Sequence, residues 1–255
     1  MSILRKLTLA ISCVTCLPLA GNQLEGDHMD GLAKYLPTVG IFVGGILLLL
    51  AYGLQQISSS ALLCAAIIVV SWIILTGALH LDGLMDTADG IFSHRSRERM
   101  LDIMRDSRVG NFGVISGVSV MLLKIASLAA VGFPLAFVCV FVVPIWARWS
   151  ELFAIGVFPY AREEGMGKVW HDTTRMPGDL LRATVLPVLA TLASCHFFGI
   201  APTIMLTGFC VSTGLTSAFY LGHILKGHTG DTYGAVVELS EAGSLLLFAL
   251  ILKAS

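Results

Sequence analysis

Residues 80–110 read HLDGLMDTADGIFSHRSRERMLDIMRDSRVG and interrupt an otherwise very apolar chain. The stretch contains five aspartates and five arginines. One long apolar run leads into it from Ala61, and another follows from Val109. A polar island between two runs long enough to cross a bilayer indicates a functional segment at a membrane surface.

The composition is typical of an all-α, polytopic integral membrane protein. Of the 255 residues, 56% are hydrophobic and 13% are charged, which is about half the charged fraction of soluble domains. The net charge of −1 gives no reason to expect nucleic acid as a partner. We predict a single membrane-embedded domain over residues 1–255, with six to seven transmembrane helices. The candidate spans are 36–54, 61–81, 110–131, 134–157, 183–198, 201–225 and 236–252.

The first span contains Gly40 and Gly44, whose G-x-x-x-G spacing predicts a helix-packing face. Before it, residues 1–20 favour an amphipathic helix at the membrane interface, stopped at Pro18. Apolar residues recur there at helical spacing, namely Leu4, Leu7, Ile11 and Val14.

Basic residues fall in alternate connections between the spans, so the positive-inside rule predicts the topology. The N-terminus and the segments 80–110, 158–182 and 226–241 are expected on the cytoplasmic side of a bacterial inner membrane. One site could therefore use all three polar segments.

Three carboxylates of the first segment are predicted to share one helix face. The helix from Ala61 is expected to continue unbroken to Gly90, and on it Asp82, Asp86 and Asp89 recur at i+4 and i+3. Neighbouring carboxylates about 6 Å apart repel by roughly 3 kcal/mol at an effective dielectric near 20. A hard divalent cation would relieve this repulsion, which indicates an Mg²⁺ site, with Mn²⁺ as the alternative.

A second acidic series follows on what is predicted to be the next helix. Glu98, Asp102 and Asp106 repeat i,i+4 spacing, and Arg105 and Arg108 flank the last of them. Arginines suit bidentate phosphate contacts, so the segment carries the equipment of phosphoryl transfer. The plainer interpretation is a solvated loop with salt bridges at the membrane surface.

The spacing of these aspartates resembles a known signature. Asp86-x-x-Asp89-Gly90 followed by Asp102-x-x-x-Asp106 is similar to the CDP-alcohol phosphotransferase motif, without the usual Ala-Arg after the glycine. The longer string through Gly113 resembles the hallmark of the cobalamin synthase (adenosylcobinamide-GDP ribazoletransferase) family. Two further blocks resemble that family, YAREEGMG at 160–167 and GHTGDTYGAVVELSE at 227–241.

The resemblance implies a transferase of cobalamin biosynthesis. A hydroxyl of α-ribazole or its 5′-phosphate would attack the phosphorus next to the aminopropanol arm of adenosylcobinamide-GDP, and GMP would leave. It implies metal ligands, a general base and two residues that assist it. The ligands would be Asp82, Asp86, Asp89 and Asp102, the base Asp106, and the assisting catalytic residues Asp89 and Arg108.

The resemblance also implies residues that bind substrate. These are His80, Gly83, Arg105, Arg162, Glu163, Glu164, Asp231, Glu238 and Glu241. From the bare sequence alone, Asp231 also suits a helix cap, and the 160–167 block is typical of a solvated loop. This chain departs from the family at Cys16, where a basic residue is usual, and at His228, where a second glycine is usual.

Charged residues inside predicted spans are usually paired or functional. Arg148 and Glu151 lie at i,i+3 and are expected to neutralise each other, whereas Lys124 is expected to pair with a carboxylate on another helix. Two alternatives to the transferase stay open at this point, a phospholipid-synthesising phosphotransferase and a divalent-metal transporter. Expected partners are the corrinoid nucleotide, ribazole, membrane lipid, further copies of the chain and other cobalamin-assembly enzymes.

Overall fold

The computed structural model describes residues 2–19, 30–58 and 60–252. Within these residues the fold is all-α, and the only strand-like pairing is an isolated bridge between Tyr160 and His228. The helices are α1 (Ile3–Val14), α2 (Leu36–Ile57), α3 (Ala61–Leu75), α4 (Leu79–Phe92), α5 (Arg97–Ile103), α6 (Asn111–Val131), α7 (Leu135–Val157), α8 (Met166–Thr173), α9 (Gly178–Phe198), α10 (Ile200–Leu225) and α11 (Gly230–Leu252).

Six helices are long and apolar enough to cross a membrane, namely α2, α6, α7, α9, α10 and α11. The predicted multi-pass helical fold is therefore confirmed. Five predicted spans end at the same residue as the helix formed, namely those of α6, α7, α9, α10 and α11, but α9 and α11 begin earlier than expected. The first turns of those two helices are polar and were therefore not included in the predicted spans, since hydropathy detects only the apolar part of a helix.

The prediction of one unbroken helix from Ala61 to Gly90 is wrong. α3 ends at Leu75, and α4 leaves at 88° to it. Gly77 and Ala78 adopt left-handed φ values of 60° and 55°, and their amides bond to the carbonyls of Ile74 and Ile73. Glycine after a helix end favours this termination because it has no Cβ to clash. The break carries the aspartates of α4 across the bundle.

The centre of the bundle is formed by α7 and α11, the helices with the most buried side chains. α2 packs closely on α7 because Gly40 and Gly44 have no side chain. A Cβ at Gly40 would lie 2.6 Å from the Pro144 carbonyl oxygen, and one at Gly44 would lie 2.6 Å from that of Phe141. The predicted packing face is confirmed.

The outer helices expose apolar side chains, as expected of a surface that faces lipid. On α9 the exposed residues recur at helical spacing, at Leu181, Val185, Leu189 and Leu192. At the N-terminus α1 forms as a helix that buries Leu9, Ala10, Ile11 and Val14. The exposed Cys16 follows it, and its amide donates to the Leu75 carbonyl, which ties α1 to the break after α3.

Candidate active site

The three polar segments meet at one end of the bundle. The Arg97 guanidinium donates to the carbonyls of Leu225 and Ala161, at 2.6 and 3.1 Å. The Ala161 amide donates to the His228 carbonyl at 2.7 Å. The segments around 80–110, 158–182 and 226–241 are thus joined by direct hydrogen bonds, as one shared site requires.

An acidic cluster forms where α4 packs against α11. It comprises Asp82 and Asp86 from α4 and Asp231 from α11. Gly83 allows the close approach, since a Cβ there would lie 2.6 Å from the Asp231 carbonyl oxygen. Half-buried Asp86 experiences the negative charges of Asp82 and Asp231, with Asp89 contributing less. Sequence spacing alone did not place Asp231 among these carboxylates, because it is far away in the chain.

Arg162 offsets part of this negative charge. Its side chain is only 11% exposed, and Nη2 lies 2.8 Å from Asp231 Oδ2. The neighbouring Glu163 and Glu164 are exposed on the same loop. An arginine beside carboxylates is suited to bind a phosphate that enters the cluster. The roles predicted for Glu163 and Glu164 stay predictions.

Asp89 lies behind the cluster and caps α6. Its two carboxylate oxygens accept hydrogen bonds from the amides of Gly110 and Gly113, at 2.7 and 2.8 Å. Carboxylates are favourable at a helix N-terminus because of its positive dipole end. Asp89 therefore fixes the start of α6 relative to α4, while its predicted roles as ligand and catalytic residue stay predictions.

The second acidic series does not share one helix face, contrary to the prediction. α5 ends at Ile103, so Asp106 lies in the turn beyond it. Asp102 and Arg105 are exposed, and Asp102 lies 3.9 Å from Arg99.

Asp106 forms a two-point ion pair with Arg108, at 2.6 and 3.0 Å. Hydrogen bonds from the Arg108 side chain and amide lower the pKa of Asp106 to about 2. A carboxylate with so low a pKa is a weak proton acceptor at neutral pH. The predicted base role of Asp106 would therefore require Arg108 to move, for instance onto a phosphate.

The donor set of the acidic cluster fits Mg²⁺. In the described residues, no group of three or more His, Cys, Asp or Glu side chains forms a ready-made metal site. Mg²⁺ is usually held by one or two carboxylates together with substrate phosphates and water, so a closed protein cage is not needed. Asp82, Asp86 and Asp231 supply oxygen ligands of the right kind on two packed helices.

A cavity of about 270 Å³ opens beside the cluster, between α4 and α11. We call it the α4–α11 cavity. Its polar lining residues are His80, Asp82, Glu151, Trp170, Asp231 and Tyr233. Several of their buried polar atoms have no hydrogen-bond partner among the described residues, namely both ring nitrogens of His80, Glu151 Oε2, Trp170 Nε1 and the Tyr233 hydroxyl. Buried polar groups are normally paired, so this lining is suited to a ligand.

Deeper along α11, buried charged side chains pair with one another across three helices. Lys124 Nζ lies 2.6 Å from both Glu238 Oε2 and Glu241 Oε2, and Arg148 Nη1 lies 3.1 Å from Glu241 Oε1. The predicted pairing of Lys124 with another helix is confirmed. The prediction that Arg148 pairs with Glu151 is wrong, because the side chain of Arg148 reaches α11 instead.

Glu151 instead lines the α4–α11 cavity, where its Oε2 lies 3.8 Å from His80 Nε2. The carboxylates of Glu238 and Glu241 are held by Lys124, so their predicted contact with substrate stays a prediction.

A larger cavity of about 370 Å³ lies between α1, the chain before α2, and α9. Its charges largely satisfy one another. Asp179 lies 3.8 Å from both Lys34 and Arg182, and Lys6 donates to the Asp30 carbonyl. The α4–α11 cavity is the better candidate, since several of its buried polar atoms have no partner among the described residues and it adjoins the acidic cluster.

Sequence reasoning missed Trp170, Tyr233 and Glu151 as site residues. Tyr233 lies in a block that had been singled out, and its position two residues after Asp231 was a usable signal. Trp170 and Glu151 gave no such signal, because an aromatic residue or a charged i,i+3 pair in a helix is most often structural.

Comparison with known proteins gives consistent matches along nearly the whole chain. The family model described as cobalamin-5-phosphate synthase matches residues 6–249. An adenosylcobinamide-GDP ribazoletransferase of Desulfitobacterium hafniense is 40% identical over 252 residues, covering 97% of this chain and 96% of the relative. One of Trichormus variabilis is 36% identical over 253 residues, covering 98% of each chain. No solved structure matches.

Proposed function

The chain belongs to the cobalamin-5-phosphate synthase family and is an enzyme of cobalamin biosynthesis, and we propose that its acidic cluster is where the transfer occurs. The cobinamide phosphate of adenosylcobinamide-GDP passes to α-ribazole or α-ribazole 5′-phosphate. GMP and adenosylcobalamin, or its 5′-phosphate, are the products. The family match favours this reaction over a phospholipid-synthesising phosphotransferase and over a metal transporter.

One observation carries the assignment of the site. Carboxylates from α4 and α11 gather beside a cavity in which several buried polar atoms have no partner within the part of the chain that the structure describes. Unpaired charge and unpaired polar groups are costly in a folded protein. Their coincidence at the meeting point of all three polar segments supports a site for a charged, polar substrate.

The proposed chemistry is a displacement at phosphorus. A ribazole hydroxyl oxygen forms a bond to the phosphorus of the cobinamide phosphate, and the bond from that phosphorus to the oxygen bridging to GMP breaks. The hydroxyl proton passes to a carboxylate oxygen of the acidic cluster, and the bridging electron pair leaves with GMP. Arg162 holds a phosphate oxygen and so positions the phosphorus for attack.

Mg²⁺ is the proposed cofactor, with Mn²⁺ as a substitute. Asp82, Asp86 and Asp231 would hold it. When bound, it would neutralise the charge of the diphosphate and of the leaving GMP. In this proposal Asp89 has a structural role, because it caps the N-terminus of α6 and so holds that helix beside the cluster.

The test uses the full chain in nanodiscs with adenosylcobinamide-GDP and α-ribazole. We expect one GMP per corrinoid product by chromatography, loss of GMP release on chelation, and recovery with Mg²⁺. Asp172→Asn, which changes an exposed carboxylate paired with Lys168, serves as the matched control for variants of the cluster. Failure of the wild-type chain to release GMP with Mg²⁺ present would reject the proposed function.

We also propose a location and partners. The six long apolar helices make the chain a multi-pass membrane protein. The basic residues in alternate connections between the helices support a bacterial inner membrane, with the N-terminus and the acidic cluster on the cytoplasmic side. Corrinoid and ribazole are the substrates that the family implies. Association of copies with one another, and with other cobalamin-assembly enzymes, is a further proposal.

A further inference from the structure

The α4–α11 cavity has the size for part of a substrate only. Its volume of about 270 Å³ is slightly below the roughly 300 Å³ at which pockets for drug-sized ligands begin. A corrin ring with its side chains is far larger than that. A single bicyclic heterocycle, by contrast, is of suitable size.

The walls and polar atoms of the cavity suit a flat, weakly polar ring. Val14, Leu79 and Met166 contribute apolar surface. Trp170 and Tyr233 contribute aromatic side chains that are 6% and 3% exposed. Aromatic residues stack favourably on planar rings, and their N–H and O–H groups usually find a partner when buried.

The unpartnered groups include both donors and acceptors. The indole of Trp170 only donates, the Tyr233 hydroxyl can donate, and one ring nitrogen of neutral His80 donates. Glu151 Oε2 accepts. An azole base attached to a sugar has an acceptor nitrogen and no N–H of its own. Guanine is the more polar base, since its N–H donors need acceptors of their own. The apolar and aromatic walls of the cavity therefore suit an azole base better.

Resting on the proposed function, we propose that the α4–α11 cavity binds the planar azole base of the nucleoside acceptor, with Trp170 and Tyr233 donating hydrogen bonds to the nucleoside. Asp82 and Asp231 also line this cavity. A base bound among His80, Trp170 and Tyr233 therefore directs its sugar hydroxyls towards the acidic cluster. The acceptor is thereby aligned for attack before the diphosphate is engaged.

The kinetic test compares Tyr233→Phe and Trp170→Phe with wild type in nanodiscs. Each removes a donor while keeping an aromatic ring. We expect KM for α-ribazole to rise about tenfold, the effect of losing one hydrogen bond of about 1.4 kcal/mol, with KM for adenosylcobinamide-GDP within about twofold of wild type. Tyr220→Phe, which removes the same hydroxyl from an exposed tyrosine on α10, should change neither constant.

A labelling test does not depend on turnover or on variants. Cys13 lines the cavity and is half-buried, whereas Cys16 is exposed outside it. Alkylation by N-ethylmaleimide is followed at each cysteine by peptide mass spectrometry, with α-ribazole, with GMP, or with both. We expect α-ribazole, alone or with GMP, to slow labelling of Cys13 at least fivefold, while GMP alone does not and Cys16 is unaffected.

Two results would overturn the inference while leaving the proposed function intact. One is active wild-type enzyme whose Cys13 is protected by GMP alone as well as by both ligands together, which would assign the cavity to the leaving nucleotide. The other is active wild-type enzyme with no protection by α-ribazole under any condition. Absence of GMP release by the wild-type chain would reject the proposed function itself.

Discussion

Two groups of carboxylates on α11 differ in how far nearby cations neutralise them. This difference distinguishes a structural role from a functional one. Asp231 at the start of the helix belongs to the acidic cluster, where like charges face one another beside a cavity. Glu238 and Glu241, about 10 and 15 Å further along the helix axis, are held by Lys124 and Arg148. Glu238 and Glu241 thus face two cations, whereas Asp231 shares Arg162 with the neighbouring carboxylate of Asp86.

The difference follows from the surroundings of each group. Deep in the bundle no water can solvate Glu238 and Glu241, so they are stabilised by paired cations. At the end of the bundle, partial exposure lets the carboxylates of the acidic cluster outnumber Arg162, the arginine that acts on them. The balance between carboxylates and nearby cations therefore distinguishes the charges that stabilise the fold from those that are available to bind a ligand.

The largest expected effect comes from breaking the buried ion network. Lys124→Met leaves Glu238 and Glu241 without their shared cation, and removing one partner of a buried pair costs about 3–5 kcal/mol. We expect a large drop in thermal stability in detergent, monitored by tryptophan fluorescence, since Trp72 lies 5.2 Å from Lys124 Nζ. Lys168→Met, at an exposed pair, should cost little. An unchanged melting temperature for Lys124→Met would refute the structural role.

The second largest effect is expected on activity and not on stability. Asp86→Asn should lower GMP release about 10²–10³-fold, the usual loss when one charge-stabilising group is removed from an active site. Its melting temperature should not fall, because repulsion from Asp82 and Asp231 is relieved. A destabilised Asp86→Asn protein with normal turnover would reverse the assignment of the two regions.

A third effect concerns a buried histidine that belongs to neither region. His228 Nε2 donates to the Ala218 carbonyl at 3.0 Å, and burial lowers its pKa to about 4. As pH falls from about 6.5 towards 4, the unfolded chain binds a proton that the folded chain refuses, so stability declines over this window by up to about 3 kcal/mol. His228→Gln, which does not titrate, should lack this decline in pH-dependent unfolding. An identical pH dependence in both proteins would contradict the assignment.

The smallest effect is expected on the exposed side of the polar segment. Asp106 is tied to Arg108 outside the cluster, so Asp106→Asn should leave the melting temperature unchanged and lower GMP release far less than Asp86→Asn. A loss as large as that of Asp86→Asn would restore Asp106 as the general base and imply that Arg108 releases it during the reaction.

Much of the fold was predictable because hydropathy, glycine spacing and basic connections are local signals. The seven apolar runs, the packing of Gly40 and Gly44 on α7, and the convergence of three polar segments all followed from them. The signal for the break, a helix-ending glycine at position 77, was also local. It was not recognised because the apolar run continues on both sides of it.

The membership of the site was less predictable because it depends on contacts between helices distant in sequence. Spacing grouped Asp102 with Asp82 and Asp86, whereas packing at Gly83 brings Asp231 to them. Spacing likewise paired Arg148 with Glu151, whereas Arg148 reaches Glu241. The turn at His228 forms without the second glycine, since the positive φ values fall at Lys226 (51°) and Gly227 (143°) and not at His228.

The most direct test of the account compares Asp231→Asn with Asp102→Asn in nanodiscs, measured as GMP release from adenosylcobinamide-GDP and α-ribazole. The account predicts a loss of at least about 100-fold for Asp231→Asn, because it completes the acidic cluster across two helices. Asp102→Asn, at an exposed position on α5, should retain most of the activity. Normal turnover by Asp231→Asn together with an inactive Asp102→Asn would contradict the account.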